Sequence, residues 1–223
     1  MSYYPILLDL SGKKAIVVGG GMVAQRKIET LIESGALIHV IAHELTSELQ
    51  SRLEKGEIKL LAREFDEGHI EDAFLIIAAT DNRVLNQRIS RIAKNKNILI
   101  NAVDQPLDCN FIFPSIVRRG DLLIAVSTSG KSPAMAKRIG ERLSGQFGRE
   151  YEAFLIIMGN IRRGLLSENL SGEDRNRIFN ELVDSTILDS IKRDDLVDIA
   201  SCLERILKRP VSHDDVINLL KDE

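Results

Sequence analysis

Apolar residues follow two rhythms along this chain. Over the first hundred positions, short unbroken apolar runs alternate with longer stretches in which apolar residues recur at helical spacing. Residues 13–19 predict a first strand. Residues 22–34 predict a first helix with Ala24, Ile28, Leu31 and Ile32 on one face and Gly35 placed to end it. A second strand follows over 37–41, a helix over 44–55 stopped by Gly56, and a third strand over 58–62. Residues 63–72 are polar and acidic and predict a loop with one helical turn. The run 74–79 is apolar without a break, as in a strand buried on both faces. Residues 82–96 predict a helix with Leu85, Ile89, Ile92 and Ala93 on one side, and 98–100 a fifth strand. The lead-in, residues 1–12, holds a short apolar segment at 5–8 that is either an edge strand or a packing arm.

Strands alternating with helices predict an α/β fold built on a parallel sheet with helices on both faces. Ligands of such sheets sit beyond the carboxyl ends of the strands. Those ends are residues 19–23, 42–44, 79–82 and 101–104, so four separate segments are expected at one crevice. After 104 the rhythm changes. Residues 110–114 are apolar and extended, and 116–127 predict a hairpin turning at Arg119-Gly120-Asp121. Ser132 and Pro133 then suit the cap and first position of a helix running to about Phe147, with Met135, Ile139, Leu143 and Phe147 in register. From Tyr151 onward the pattern is helical. Tyr151, Phe154, Leu155, Met158 and Ile161 form one stripe; Leu196, Ile199, Ala200, Leu203, Ile206 and Leu207 form another. Pro210 precedes a last short helix ending near Leu220.

The first strand–helix junction carries the most specific chemistry. Gly19-x-Gly21-x-x-Ala24 fits the dinucleotide fingerprint of a Rossmann-like sheet. Gly19 permits the turn, Gly21 lets a pyrophosphate approach the backbone, and Ala24 lets helix and strand lie close. The helix N-terminus then offers unpaired N–H groups and the positive end of its dipole. Met22 and Val23 belong to the same turn. The acidic residue expected at the end of the second strand is Glu44, slightly past the usual position, with His43 beside it near the ribose. No Lys or Arg follows that strand to hold a 2′-phosphate, which leans towards NAD. Thr80 and Asn101 follow the fourth and fifth strands and are cofactor candidates, while Asn82 reads as a helix cap.

Composition narrows the classes. A chain of 223 residues with 44% hydrophobic and 28% charged residues can bury an ordinary globular core. A formal net charge of −3 provides no basic field for nucleic acid. No apolar run is long enough to span a bilayer, and the N-terminal residues do not resemble a secretory signal, so a cytoplasmic protein is expected. Cys109 and Cys202 share no metal-binding spacing, the four histidines are scattered, and no metal site is expected. His39 alternates inside the second strand and reads as a core histidine. Residues 129–132 invite comparison with a phosphate-binding P-loop, but Ala125 stands where that motif needs glycine.

Residues 19–27, Gly-Gly-Gly-Met-Val-Ala-Gln-Arg-Lys, resemble the G-G-G-x-V-A-x-R-K segment of precorrin-2 dehydrogenases, including the bifunctional dehydrogenase/ferrochelatases of siroheme synthesis. The resemblance continues, in order and at matching spacing over residues 1–145, through 78–82, Asn86-Gln87-Arg88, 101–104, 110–115 and 127–133. It implies oxidation of precorrin-2 to sirohydrochlorin with NAD as hydride acceptor. For some members it also implies insertion of a metal ion, ferrous or cobalt, as a second substrate. It further implies a homodimer, with an NAD-binding domain over 1–113, a dimerisation and substrate segment over 114–148 and a helical domain over 149–223. No methyltransferase module follows, so a complete trifunctional siroheme synthase is not expected.

Asp104 matches the family's acid/base aspartate and follows the fifth strand into the crevice. One carboxylate there would serve proton removal in dehydrogenation or in metal insertion. The other reading is that Asp104 caps the turn at Gln105-Pro106. Ser127, Thr128 and Lys131 are candidates for binding substrate carboxylates, against plain capping of the following helix. Arg118, Arg119, Lys137, Arg138 and Arg142 form a basic cluster suited to a polycarboxylate. Two rival functions stand beside the dehydrogenase: a chain that is mainly a ferrochelatase, and a non-catalytic NAD-binding regulatory protein.

Overall fold

The unbroken apolar runs become the strands. β1 (Lys14–Val18), β2 (Leu37–Ile41), β3 (Ile58–Ala62), β4 (Leu75–Ala78) and β5 (Leu99–Ala102) pair in parallel in the order β3-β2-β1-β4-β5. The chain winds to one side of β1 and then to the other, so the switch point lies between β1 and β4, and the crevice opens at their carboxyl ends. The computed structural model describes residues 3–168 and 170–221. They divide between two compact units whose border falls between Phe113 and Pro114.

Both faces of the first unit's sheet are covered, which is why β4, and β1 after Lys14, are apolar at every position. Val17, Val40 and Ile77 pack with Ala24, Ile28 and Leu31 of α1 (Met22–Glu33) and Leu49 of α2 (Ser47–Glu54). Ile16, Val18, Ile76 and Ile100 face the other way, onto Ile89 and Ala93 of α3 (Arg83–Asn95) and Ile70. Burying one such isoleucine contributes about 1.5–3 kcal/mol. Gly35, at φ +74°, follows α1 in the left-handed region.

Several sequence expectations are corrected in detail. The second helix begins at Ser47 and not at 44. Residues 43–46 stay outside it because the Thr46 N–H donates to the Gly20 carbonyl and the Thr46 hydroxyl accepts from Leu49 N. Residues 5–8 form no strand. Ile6 and Leu7 are exposed there, and only Leu10 reaches the core. β5 runs on to Ala102, so Asn101 lies inside the strand. His39 is only half-buried. The acidic loop has its single turn, a 3-10 helix over Glu67–Ile70 capped by Asp66.

The second unit begins with an antiparallel hairpin, β6 (Ser115–Arg119) and β7 (Leu122–Val126), turning through Gly120 at φ +53°. α4 (Pro133–Gln146) packs on β6 through Ala136 and Gly140. Its predicted face is therefore rotated, and Met135 is left exposed. α5 (Glu150–Ser167), α6 (Gly172–Val183), α7 (Ile187–Lys192), α8 (Leu196–Leu207) and α9 (His213–Leu219) share a third core. Phe154 and Ile161 of the predicted stripe are buried, joined by Ile157 and Leu165, while Tyr151, Leu155 and Met158 are half-buried. Among the described residues no helix is long and apolar enough to cross a membrane.

Candidate functional site

The glycine turn is gripped from both sides. Gly19 N–H donates to the Ile41 carbonyl at 2.9 Å, and Ala79 N–H donates to the Val18 carbonyl at 2.8 Å. The three glycines have different reasons to be glycine. Gly19 sits at φ +124°, and a Cβ there would run into the Ala79 carbonyl. A Cβ on Gly20 would run into the Glu44 carbonyl. Gly21 caps α1 with extended backbone and no side-chain cap, and a Cβ there would meet nothing within 4 Å. No protein neighbour therefore requires glycine at 21. The open space in front of it, beside the uncapped N–H groups of α1, fits a pyrophosphate approaching the backbone.

In front of this turn lies a cleft of about 770 Å³. Its walls are residues 18–21, the end of β2 (41–46), the end of β3 (63–65), the end of β4 (79–82) and Leu85. Gly19, Gly21, His43, Glu44 and Thr80 are thus brought together as the sequence predicts. Met22 and Val23 are exposed on the first turn of α1 and are not among the lining residues. Asn101 is turned elsewhere, its amide donating to the Phe111 carbonyl at 3.1 Å and reaching Cys109 Sγ at 3.6 Å. Thr80 lines the cleft, but its hydroxyl is donated inward to Asn86 Oδ1 at 2.7 Å.

Asp104 follows β5 in a left-handed turn, φ +58°, and is exposed. Its carboxylate takes no hydrogen bond from the described residues, so the turn-capping alternative is not the observed arrangement. The turn closes instead by Gln105 N–H donating to the Ala102 carbonyl. Ser127, Thr128 and Lys131 lie in the second unit, between β7 and α4. Ser127 Oγ accepts from Ser129 N at 3.1 Å and Thr128 Oγ1 from Ser132 N at 3.0 Å, so both hydroxyls shape the loop. Ser132 caps α4 through Met135 N, and Lys131 is exposed.

Other residues at the site escape a linear reading. Asn86 is buried and fixes the end of β4, accepting from Thr80 N and Oγ1 and donating to the Thr80 carbonyl. Gln25 accepts from the Thr46 hydroxyl at 2.7 Å, tying α1 to the loop after β2. Lys27 stands 3.8 Å from the centre of the Phe113 ring, and burial, aided by the Arg26 charge, lowers its pKa. The contact pins residues 110–113 to α1. Cys109 is buried and its thiol is pushed up by that burial. Arg63 reaches the cleft from the end of β3, away from the segments that carry the fingerprint. Asn86 was available as a polar residue on the apolar side of a helix. Arg63 carries no such local mark.

Comparison with known proteins agrees with this geometry. A family model for NAD(P)-binding matches residues 6–115, and one for the central part of sirohaem biosynthesis proteins matches 119–146. A siroheme synthase of Photorhabdus laumondii is 40% identical over 179 residues, 80% of this chain and 38% of that protein. A siroheme synthase of Yersinia pestis is 36% identical over 209 residues, 93% of this chain and 44% of that protein. The chain thus spans about two fifths of the length of these curated relatives. The solved structure of SirC, a precorrin-2 dehydrogenase, is matched with a TM-score of 0.75 and 28% identity, over 92% of this chain and 100% of that one. The first unit is an NAD(P)-binding domain. Two family models in succession, relatives aligned along most of the chain and a solved structure matched over its whole length agree on what the chain is similar to: precorrin-2 dehydrogenases and siroheme synthases.

Proposed function

We propose that this protein oxidises precorrin-2 to sirohydrochlorin with NAD as the hydride acceptor. The observation that carries the reading is the likeness to the solved precorrin-2 dehydrogenase, whose whole chain is covered at 28% identity. The glycine cradle supports it, because Gly21 alone of the three glycines faces open space. The bound dinucleotide would supply the two-electron acceptor. Gly19, Gly21 and the first turn of α1, with Met22 and Val23, would hold its pyrophosphate. Glu44 would accept from the ribose hydroxyls, with His43 and Thr80 along the same wall, and this carboxylate favours NAD.

Loss of hydride from the macrocycle must be matched by loss of a proton. Asp104 is the proposed base, its carboxylate open and unpaired beyond β5. Asn101, three residues before it, is assigned to shaping the 109–111 segment. Ser127, Thr128 and Lys131 are proposed to bind substrate carboxylates. A homodimer is proposed too, on exposed apolar residues of the hairpin and of α4, Ile116 at 43% and Met135 at 58% exposure.

The test follows NADH absorbance with purified protein, precorrin-2 and NAD+ without metal. NADH formation is expected, and Asp104→Asn should keep dinucleotide binding while turnover falls. Full turnover in that variant would remove Asp104 from its role. Ferrous iron added after NADH formation asks separately whether metal insertion follows.

A further inference from the structure

The dinucleotide reading treats the end of β2 as the element that selects the cofactor. The sheet adds a second. β3 is hydrogen-bonded to β2, with Ile41 paired to Ala62 and the Ala42 N–H donating to the Ala62 carbonyl at 3.1 Å. Arg63 is the next residue, so it leaves β3 level with Ala42, one residue before His43 and two before Glu44. Neighbouring strands stand about 4.8 Å apart, well within the reach of an arginine side chain. Arg63, His43 and Glu44 line the same cleft.

The charges of this wall are unevenly matched. His43 stands 4.0 Å from Glu64, with both side chains exposed. Arg63 makes no ion pair or hydrogen bond among the described residues, although two carboxylates share its wall. It is an exposed guanidinium, always charged and free to present its planar fork to an anion. The anion that a dinucleotide presents beside the ribose at the end of β2 is a 2′-phosphate. The absence of Lys or Arg just after β2 in the sequence is therefore made good from the neighbouring strand.

We propose that Arg63 lets this cleft take the 2′-phosphorylated dinucleotide, NADP, as a second ligand beside NAD. This rests on the dinucleotide reading of the cleft and goes beyond it. Glu44 opposes a 2′-phosphate and Arg63 attracts it, so the two offset each other and discrimination is weak.

Fluorescence titration of the whole chain with NADH and NADPH, and calorimetry with 5′-AMP and 2′,5′-ADP, test this without turnover. NADPH is expected to bind within about ten-fold of NADH, one charge-assisted contact being worth about that factor. Arg63→Met should weaken NADPH and 2′,5′-ADP by about ten-fold and leave NADH and 5′-AMP nearly unchanged. Arg63→Lys should restore part of the loss, and Glu44→Gln should tighten NADPH. NADPH binding more than about a hundred-fold weaker than NADH in the wild type would overturn the proposal. So would equal weakening of both dinucleotides in Arg63→Met, which would mean a contact to the base or pyrophosphate. Failure of NADH and NADPH alike would instead overturn the dinucleotide reading itself, and this proposal with it.

Discussion

Alanine at Gly20 and at Gly21 separates folding from binding within one turn. At Gly20 the new methyl would run into the Glu44 carbonyl and lie 3.0 Å from both Ala42 Cβ and Leu45 Cδ2. Backbone is on one side and packed side chains are on the other, so the loop after β2 must move. Overpacking of this kind costs about 1–3 kcal/mol. At Gly21 the backbone is extended, φ −84° and ψ −175°, and the methyl would meet nothing within 4 Å. Alanine is a poorer helix cap than glycine, but it also removes about 0.4–1 kcal/mol of unfolded-chain freedom. The two terms oppose each other, and stability should stay within about 0.5 kcal/mol of wild type. The same methyl would stand where the pyrophosphate approaches. A steric penalty of about 1–3 kcal/mol there weakens binding roughly 5- to 150-fold. Urea denaturation and NADH fluorescence titration read the two quantities separately. Gly21→Ala should fold normally and bind poorly, and Gly20→Ala should be destabilised. If Gly21→Ala bound NADH like the wild type, the open space at Gly21 would not be the phosphate's path.

Other perturbations follow from individual bonds. Asn86→Ala leaves Thr80 N–H and its carbonyl without their buried partner, which should cost about 1–3 kcal/mol in urea and weaken NADH binding; unchanged affinity would deny that Asn86 orders this wall. Burial raises the Cys109 thiol, so the folded state holds its proton more tightly than the unfolded one. That contribution is complete below the unfolded thiol pKa of about 8.5 and is lost as pH rises through the folded value. Urea midpoints between about pH 7 and 10 should therefore fall more steeply for wild type than for Cys109→Ala, and parallel slopes would refute the shift. Ser190 is fully buried in the second unit, with its hydroxyl 2.6 Å from Asp198 Oδ2 and 3.0 Å from the Thr186 carbonyl. Ser190→Ala should lose about 1–2 kcal/mol, visible as faster amide exchange in α7 and α8 with NADH affinity intact.

The strands were legible because both faces of the central sheet are covered, which leaves apolar runs such as 74–79 no reading but a buried strand. Helix boundaries were legible where a local signal decides them, as at Asn82, whose side chain accepts from Leu85 N, or at Gly35. They failed where a distant partner decides. Residues 44–46 suit a helix by composition, yet Thr46 donates its N–H to Gly20, more than twenty residues away, and so caps the helix instead of continuing it. The face of α4 failed for another reason. Its large residues, Met135 among them, dominate the apolar pattern, but α4 meets β6 by close approach. Gly140 lies so near Ser115 that a Cβ would stand 2.6 Å from its Oγ. Small residues make that interface, and small residues leave a faint hydrophobic trace.

The same division runs through the site. A fingerprint spelled in consecutive residues can be read from the chain, so Gly19, Gly21 and the carboxyl ends of β2 and β4 were placed in advance. Polar residues at the carboxyl end of a strand, inside it or just beyond, carry no sign of direction. Asn101 turns its amide to Phe111, and Thr80 gives its hydroxyl to Asn86, although both hold fingerprint-like positions. Arg63 is the reverse case. It follows β3, about twenty residues beyond the acidic end of β2, and only the pairing of Ala62 with Ile41 carries it to the wall shared with Glu44. Selectivity between two dinucleotides that differ by one phosphate is set by the sum of charges around the ribose. In a parallel sheet that sum is taken across neighbouring strands, so a motif read along β2 alone supplies only its acidic part.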